Sequence, residues 1–363
     1  MKIGILNFWT SNNFGAVLLT YSLEKAIYKI FPNFEVEGIK YTKEAHRFPW
    51  SFSVLRKLGP VYYIKNLGKR LLHYFPAQKK FDEFRKYINA SNASYNERTI
   101  KEISTIYDKI IIGSDVCWGT SNMYFDETYW LPFIADKNKK LAYAACIPEV
   151  AINSKRRDFV IKMLNDFGCI TTRNKHTKDL IENCTTMKVN CVLDPVFLLT
   201  KEGWSDVIEE PRGNYGKFIF VYQAADDMEF VKYVKHFAKI KSLNIIYNPF
   251  PLWKQIKCIR KPYISIGNWL WYIKNAEYVI GDSFHATVLS IIFNKQFYSY
   301  IGKATNSGSR IASLLDQFSL QNRLISDWRM KVVDEPIDWE RINKQVEVER
   351  KASFVHLKAM IEL

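Results

Sequence analysis

The sequence lacks any hydrophobic run long enough to cross a bilayer. Its longest apolar stretches, such as residues 287–293, fall far short of the ~20 residues a membrane-spanning helix needs. It is poor in cysteine: Cys117, Cys146, Cys169, Cys184, Cys191 and Cys258 are scattered, with no CxxC pair. MKIGILNFW at the start runs straight into a strand pattern without a small-residue cleavage site, so no signal peptide is expected. Thiols in such a chain are expected to be reduced and buried, not joined in disulfides or wrapped around zinc. His46, His73, His176, His236, His285 and His356 show no metal-ligand spacing, and no metal is predicted. Glycine is scarce where a dinucleotide would need it. GxGxxG takes three, and TSNNFGA at residues 10–16 offers one, which speaks against a nicotinamide cofactor. Internal repeats, low-complexity tracts and recognised nucleic-acid motifs are absent, and nucleic acid is not an expected partner.

Acidic residues are also in deficit. Against 52 Lys and Arg stand 37 Asp and Glu, a formal net charge of +15 that favours anionic partners such as a membrane surface or phosphorylated small molecules. Much of the surplus lies between Lys40 and Lys109, interleaved with Tyr, Phe and Trp. That pattern fits docking on an anionic membrane, with residues 50–84 as the contact, as well as it fits a solvated helical face. Hydrophobic residues at 48% and aromatic residues at 15% exclude a disordered chain, and 363 residues suit two domains.

The first 40 residues read strand, loop, helix, strand: KIGILNF, WTSNNFGA, AVLLTYSLEKAIYKI, FEVEGIKY. This is a βαβ unit of a doubly wound sheet. Residues 43–96 lack strand alternation and are predicted to be a helical insertion. Strand patterns return at YDKIIIGSD, KLAYAACIP, GCITTRN and KVNCVLDPV. A polar, turn-rich break, KEGWSDVIEEPRGNYG, sets a first domain at 1–201 and a second at 202–340. In the second, FIFVYQA, LNIIYNPF, AEYVIGD and QFYSYI read as strands, with helices at 227–239 and ATVLSIIFN. Residues 341–363 read as amphipathic helix, predicted to pack back on the first domain. The alternation predicts an α/β class with two such domains and a catalytic cleft between them.

Candidate site residues fall where strands end. GDSFHATVLSIIFNK, residues 281–295, places His285 between an apolar strand and an apolar helix, where a ligand would bind. An imidazole there can move a proton or carry a charge. A lone histidine is as a rule structural, and its position is what raises it above that. In SNNFGA, Asn13 suits a tight turn and Gly15 lets backbone approach a ligand at a helix N-terminus, or the segment is an ordinary cap. Ser114 and Asp115 of GSD fit sugar hydroxyls or the cap of the next element. Arg173 of TTRNK presents the planar fork that pairs with carboxylate or phosphate, or a surface salt bridge. In NSGSRIASLL, Ser309 and Arg310 open an apolar helix whose N–H groups suit an anion, or the serine is a plain cap.

The motifs SNNFGAVLLTYSL, IIGSDVCW, YAA at 143–145, LDPVFLL, IGDSFHATVLSIIFNKQF and NSGSRIASLL together resemble the polysaccharide pyruvyl transferase family, over roughly residues 7–315. The resemblance implies two Rossmann-like domains in a glycosyltransferase-B-like arrangement. It implies transfer of a pyruvyl group from phosphoenolpyruvate to two sugar hydroxyls as a cyclic ketal, with phosphate released and no cofactor. On that pattern His285 is the catalytic residue. Arg173, Arg310, Ser283 and Ser309 bind phosphoenolpyruvate, and Asn13, Gly15, Ser114, Asp115 and Asp282 serve the sugar acceptor or its loops. Ser283 stands where the family often has arginine, Asn174 where it has glutamate, and Cys117 where it has glutamine. The acceptor is expected to be lipid-linked and the protein cytoplasmic, peripheral at the inner face of the membrane. Two other readings remain open from the residues: a nucleotide-sugar glycosyltransferase, and a non-catalytic glycan- or anion-binding relative.

Overall fold

The structure is a computed structural model that describes residues 1–43, 75–121, 125–148, 152–225, 227–248, 256–302, 308–330 and 335–363. The chain divides into two compact units, Met1–Leu198 with Ala352–Leu363, and Leu199–Lys351.

The first unit is built on seven parallel strands. They are β1 (Lys2–Leu6), β2 (Glu35–Tyr41), β3 (Ala90–Tyr95), β4 (Lys109–Ile112), β5 (Lys140–Ala145), β6 (Cys169–Thr172) and β7 (Asn190–Cys191). Their order is β3-β2-β1-β4-β5-β6-β7. Strands such as KIGIL and KIII are apolar almost throughout because helices cover both faces of a parallel sheet. Helix α1 (Phe14–Ile30) is buried over most of its length, and Asn13 caps it by accepting a hydrogen bond from the Ala16 N–H at 3.2 Å. Helix α2 (Phe75–Arg85) lies within the expected helical insertion, of which residues 44–74 fall outside the described residues.

That insertion also holds a strand the sequence pattern hides. ASNASY, β3, is made of poor strand formers, yet it pairs parallel with β2. Where the register shifts between Gly38 and Lys40, the Ser91 hydroxyl accepts the Lys40 N–H at 3.0 Å in place of a backbone carbonyl. Two further helices, α3 (Arg157–Asn165) and α4 (Lys175–Cys184), complete the unit's main elements.

The second unit repeats the plan with β8 (Phe218–Tyr222), β9 (Asn244–Asn248), β10 (Ile259–Arg260), β11 (Tyr278–Gly281), β12 (Gln296–Tyr300) and β13 (Leu324–Ile325). All pairs are parallel, in the order β10-β9-β8-β11-β12-β13. Its helices are α5 (Met228–Lys241), α6 (Ile266–Asn275), α7 (Phe284–Ile292) and α8 (Gly308–Gln317). Helix α7 starts at Phe284, so His285 lies within its first turn. Helix α9 (Trp339–Ile361) is a single continuous helix. Its end carries Leu357, Met360 and Ile361 into a core cluster with Ile3, Ile5 and Leu23, and the Ser353 hydroxyl accepts the Leu193 N–H at 2.9 Å.

Each sheet has one switch point, between β1 and β4 and between β8 and β11, where crossovers leave in opposite directions. The carboxyl ends of those strand pairs are where an open α/β sheet takes its ligands.

Candidate functional site

In the first unit, the loops leaving β1, β2 and β4 surround a pocket of about 430 Å³. The loop after β1 is held from several sides. Trp9 donates its indole N–H to the Ile39 carbonyl at 2.9 Å, and the Thr10 hydroxyl donates to the Tyr41 carbonyl at 2.8 Å. The Arg85 guanidinium, from the end of α2, donates to the carbonyls of Trp9, Thr10 and Ser11 and to Asn12 Oδ1. Sequence reasoning assigned nothing to Arg85, because its targets lie more than 70 positions away.

One wall of the pocket is aromatic. Phe8 and Tyr129 lie 4.6 Å apart, and Tyr41 meets Tyr129 edge-on at 5.7 Å. The lining also holds Thr10, Asn12, Asn13, Asp115 and an ion pair between Lys43 and Asp126 at 3.2 Å. The Tyr41 hydroxyl donates to the same Asp126 oxygen at 3.2 Å and accepts from the Thr128 hydroxyl at 2.9 Å. Burial raises the Tyr41 phenol well above its ordinary range. Asp115 holds φ at 80°, the left-handed region that a non-glycine residue rarely adopts. Such strain costs on the order of 1–3 kcal/mol and gathers at functional corners.

Asn13 and Asp115 therefore share the pocket, whereas Gly15 and Ser114 do not line it. Gly15 is buried in the first turn of α1. Ser114 is fully buried and its hydroxyl donates to Asp194 Oδ2 at 3.3 Å. That same oxygen accepts the Arg173 guanidinium at 2.6 Å, with both side chains 1% exposed. Asp194 Oδ1 accepts the Val196 N–H at 3.1 Å. Arg173 thus has its carboxylate partner inside the protein rather than a salt bridge at the surface. Asp194 belongs to the LDPV segment, which carried no assigned role in the sequence.

In the second unit, β11 ends at Gly281, where a Cβ would stand 2.8 Å from the Tyr222 carbonyl oxygen. Only glycine lets β8 and β11 come this close at the switch point. Asp282 follows, 2% exposed, accepting the Ala224 N–H at 2.6 Å and the Ala225 N–H at 2.8 Å. Burial pushes its carboxyl up to about 6, against the pull of those two amides. Asp282 thereby ties the loop after β8 to the corner after β11.

Ser283 is the N-cap of α7 in extended conformation, yet its hydroxyl makes no capping hydrogen bond. His285 is 7% exposed, its ring edge-on to Phe284 at 5.2 Å. The Arg310 guanidinium lies over the other ring system of this group, 5.9 Å from the Phe284 centroid. Asp282, Ser283, His285 and Arg310 are thus gathered around the first turn of α7. Ser309, exposed, begins the neighbouring helix α8. Asn306 and Ser307 of the NSGS loop lie outside the described residues. Among the described residues, no group of three or more His, Cys, Asp or Glu side chains could hold a metal ion. No helix among them is long and apolar enough to cross a membrane.

Three solved structures share this two-unit fold. UDP-GlcNAc 2-epimerase from Methanocaldococcus jannaschii superposes with a TM-score of 0.51 at 12% identity, over 96% of this chain and 93% of that one. A putative UDP-N-acetylglucosamine 2-epimerase from Listeria monocytogenes gives 0.50 at 9% identity, over 97% and 89%. UDP-GlcNAc 2-epimerase from Neisseria meningitidis gives 0.50 at 8%, over 97% and 94%. At these identities the likeness speaks for the fold alone. Among curated proteins, none matches the chain in sequence. The family model of polysaccharide pyruvyl transferases matches residues 13–302, a span that contains Asn13, the pocket loops after β2 and β4, and the Asp282–His285 corner. With most of its length matched in this way, the chain belongs to the polysaccharide pyruvyl transferase family, transferases that move a pyruvyl group in polysaccharide biosynthesis.

Proposed function

We propose that the protein transfers the pyruvyl group of phosphoenolpyruvate to two hydroxyls of one sugar, closing a cyclic ketal and releasing phosphate. The observation that carries this reading is the cluster of His285 and Arg310 around the first turn of α7, whose N-cap hydroxyl makes no capping bond. Phosphoenolpyruvate brings a carboxylate and a phosphate. Helix amides at an N-terminus and an arginine suit such an anion, and hydrogen bonds to it strengthen as water is excluded. Arg310 and the α7 amides bind the donor, with Ser283 and Ser309 supplying hydroxyls.

The chemistry needs a proton delivered to the methylene carbon, which makes C2 electrophilic. One sugar hydroxyl adds to C2 and gives up its proton, and phosphate departs with its bonding electron pair. The second hydroxyl then closes the ketal and gives up its proton in turn. One of the two hydroxyl protons balances the one taken up by carbon, and the other leaves with phosphate. His285 is the group assigned to this proton traffic. No metal or cofactor enters the scheme, because the enol phosphate is itself the activated donor.

The first-unit pocket suits the sugar. Phe8 and Tyr129 offer apolar ring faces, and Asn12, Asn13, Asp115 and Asp126 offer the donors and acceptors that hydroxyls require. We take the acceptor to be a lipid-linked sugar presented at the cytoplasmic face of the membrane, a setting the +15 charge favours. The test is incubation with phosphoenolpyruvate and a panel of sugars, following phosphate release and the acceptor's mass. Ketal-bearing product supports the reading. Turnover of a nucleotide sugar with indifference to phosphoenolpyruvate refutes it.

A further inference from the structure

A second concave surface lies away from the carboxyl ends of the strands, at the amino ends of β9 and β10 in the second unit. Helix α5 and the edge formed by β9 and β10 enclose a groove of about 670 Å³. Its floor is apolar, with Leu243, Ile245 and Ile256 among the lining. Its rim is basic: Lys235, Lys239 and Lys257 line it, and no Asp or Glu does among the described residues. Lys235 and Lys239 stand one turn apart on the exposed side of α5, and Lys257 comes from the opposite bank. The acid nearest this face on α5, Glu229, is already paired with Lys232 at 2.6 Å.

Two large apolar side chains flank the lysines in the open. Ile240 is 52% exposed and Ile259 is 39% exposed, beside the exposed Arg260 of the edge strand. A solvated helical face has no need of exposed isoleucines next to an acid-free lysine rim. A free phosphate would match the lysines but not the isoleucines or the apolar floor. A nucleic acid would match the lysines, but among the described residues the lining holds no aromatic ring for a base to stack on. A lipid surface matches both features, with phosphate outside and hydrocarbon beneath it.

We propose that this groove is the face by which the second unit docks on an anionic bilayer, with Lys235, Lys239 and Lys257 on lipid phosphates and Ile240 and Ile259 entering the headgroup layer. Its residues belong to the second unit, whereas the aromatic, basic segment at residues 50–84, described only from Phe75 onward, falls within the first unit's span of the sequence. Docking is peripheral and reversible. It is read without turnover, so it stands or falls independently of the reaction assigned above.

The test is co-sedimentation of the full chain with vesicles at low salt, comparing phosphatidylcholine alone with phosphatidylcholine containing phosphatidylglycerol. The wild type should bind the anionic vesicles and leave the neutral ones. Each lysine near such a surface is worth roughly 5-fold, so the triple variant Lys235→Glu, Lys239→Glu, Lys257→Glu should bind on the order of 100-fold more weakly. Lys101→Glu, Lys137→Glu, Lys188→Glu makes the same change in net charge on exposed lysines of the first unit and should bind like the wild type. Ile240→Ser with Ile259→Ser should weaken binding with no charge altered. Circular dichroism and melting curves establish that every variant is folded. Equal binding by the two triple variants overturns the proposal, and so does absence of wild-type binding. Release of the protein by inorganic phosphate at matched ionic strength would make the groove a phosphate pocket instead. Capture of double-stranded DNA through the same three lysines, without vesicle binding, would make it a nucleic-acid surface.

Discussion

At the scale of single residues, the two units use their charged groups in opposite ways. In the second unit the strand exit gathers Asp282, Ser283, His285 and Arg310, and the proposed reaction asks His285 to handle protons. His285→Gln keeps size and hydrogen-bonding capacity while removing titration. It should lower kcat ~10²–10⁴-fold and leave the melting temperature near that of the wild type. Unfolding on that change, or unaltered turnover, would assign the imidazole a packing role. In the first unit, Arg173 and Asp194 form an ion pair in which each side chain is 1% exposed. Removing one partner of a buried pair strands the other, at ~3–5 kcal/mol. Arg173→Gln and Asp194→Asn should each lower stability by about that amount in urea titrations. The double variant, whose amides can bond each other without charge, should recover much of the loss. Phosphoenolpyruvate binding, measured by calorimetry on the double variant, then separates a guanidinium that touches the donor from one that holds Ser114 and the adjoining Asp115 corner in place.

At the scale of elements, two buried carboxyls, Glu24 and Asp282, make stability depend on pH. Glu24 on α1 accepts the Asn89 N–H at 3.0 Å at the entry to β3, and burial pushes its carboxyl up to about 7. The folded state therefore holds this proton more tightly than the unfolded chain, whose carboxyl titrates near 4.5. The stabilising contribution is complete below the unfolded value and is lost as pH rises through about 7. Asp282 acts in the same direction, between 3.8 and about 6. Glu24→Gln keeps an acceptor for the Asn89 amide without the charge. Its melting temperature should exceed that of the wild type at about pH 8 and converge with it near about pH 4. Gly281→Ala should cost roughly 1–3 kcal/mol, because the added methyl meets a carbonyl of the adjacent strand rather than a yielding side chain.

Elements were legible where local pattern and tertiary role agree. AEYVIGD followed by an apolar helix announces its corner through a change of period, and His285 was visible because it sits on that change. ASNASY could not be read as a strand, since its pairing with β2 and not its composition makes it one. Helix α6, GNWLWYIK within residues 267–274, went unassigned although Ile266, Trp269, Leu270 and Ile273 form a helical i, i+3, i+4, i+7 stripe. The two-residue strands β10 and β13 are too short to carry any pattern. The pocket residues Tyr41, Asp126 and Tyr129 escaped for another reason. They converge from positions more than 80 apart, and only the sheet order brings them together.

At the scale of the whole molecule, the first unit is assembled from both ends of the sequence. Leu357 is fully buried among residues of β1 and α1. Leu357→Ala should cost ~2–5 kcal/mol, read as a lower melting temperature, although the site lies more than 300 positions from β1 and α1. The contribution of α9 to that core also orders events during synthesis. Residues 199–351 leave the ribosome with every side chain of their own unit already made. The amino-terminal unit, begun earlier, must wait for residues 352–363 to emerge before its interior is complete. Domains usually mature from the amino terminus onward. Of the two units, the one translated first is therefore the one whose core is completed last.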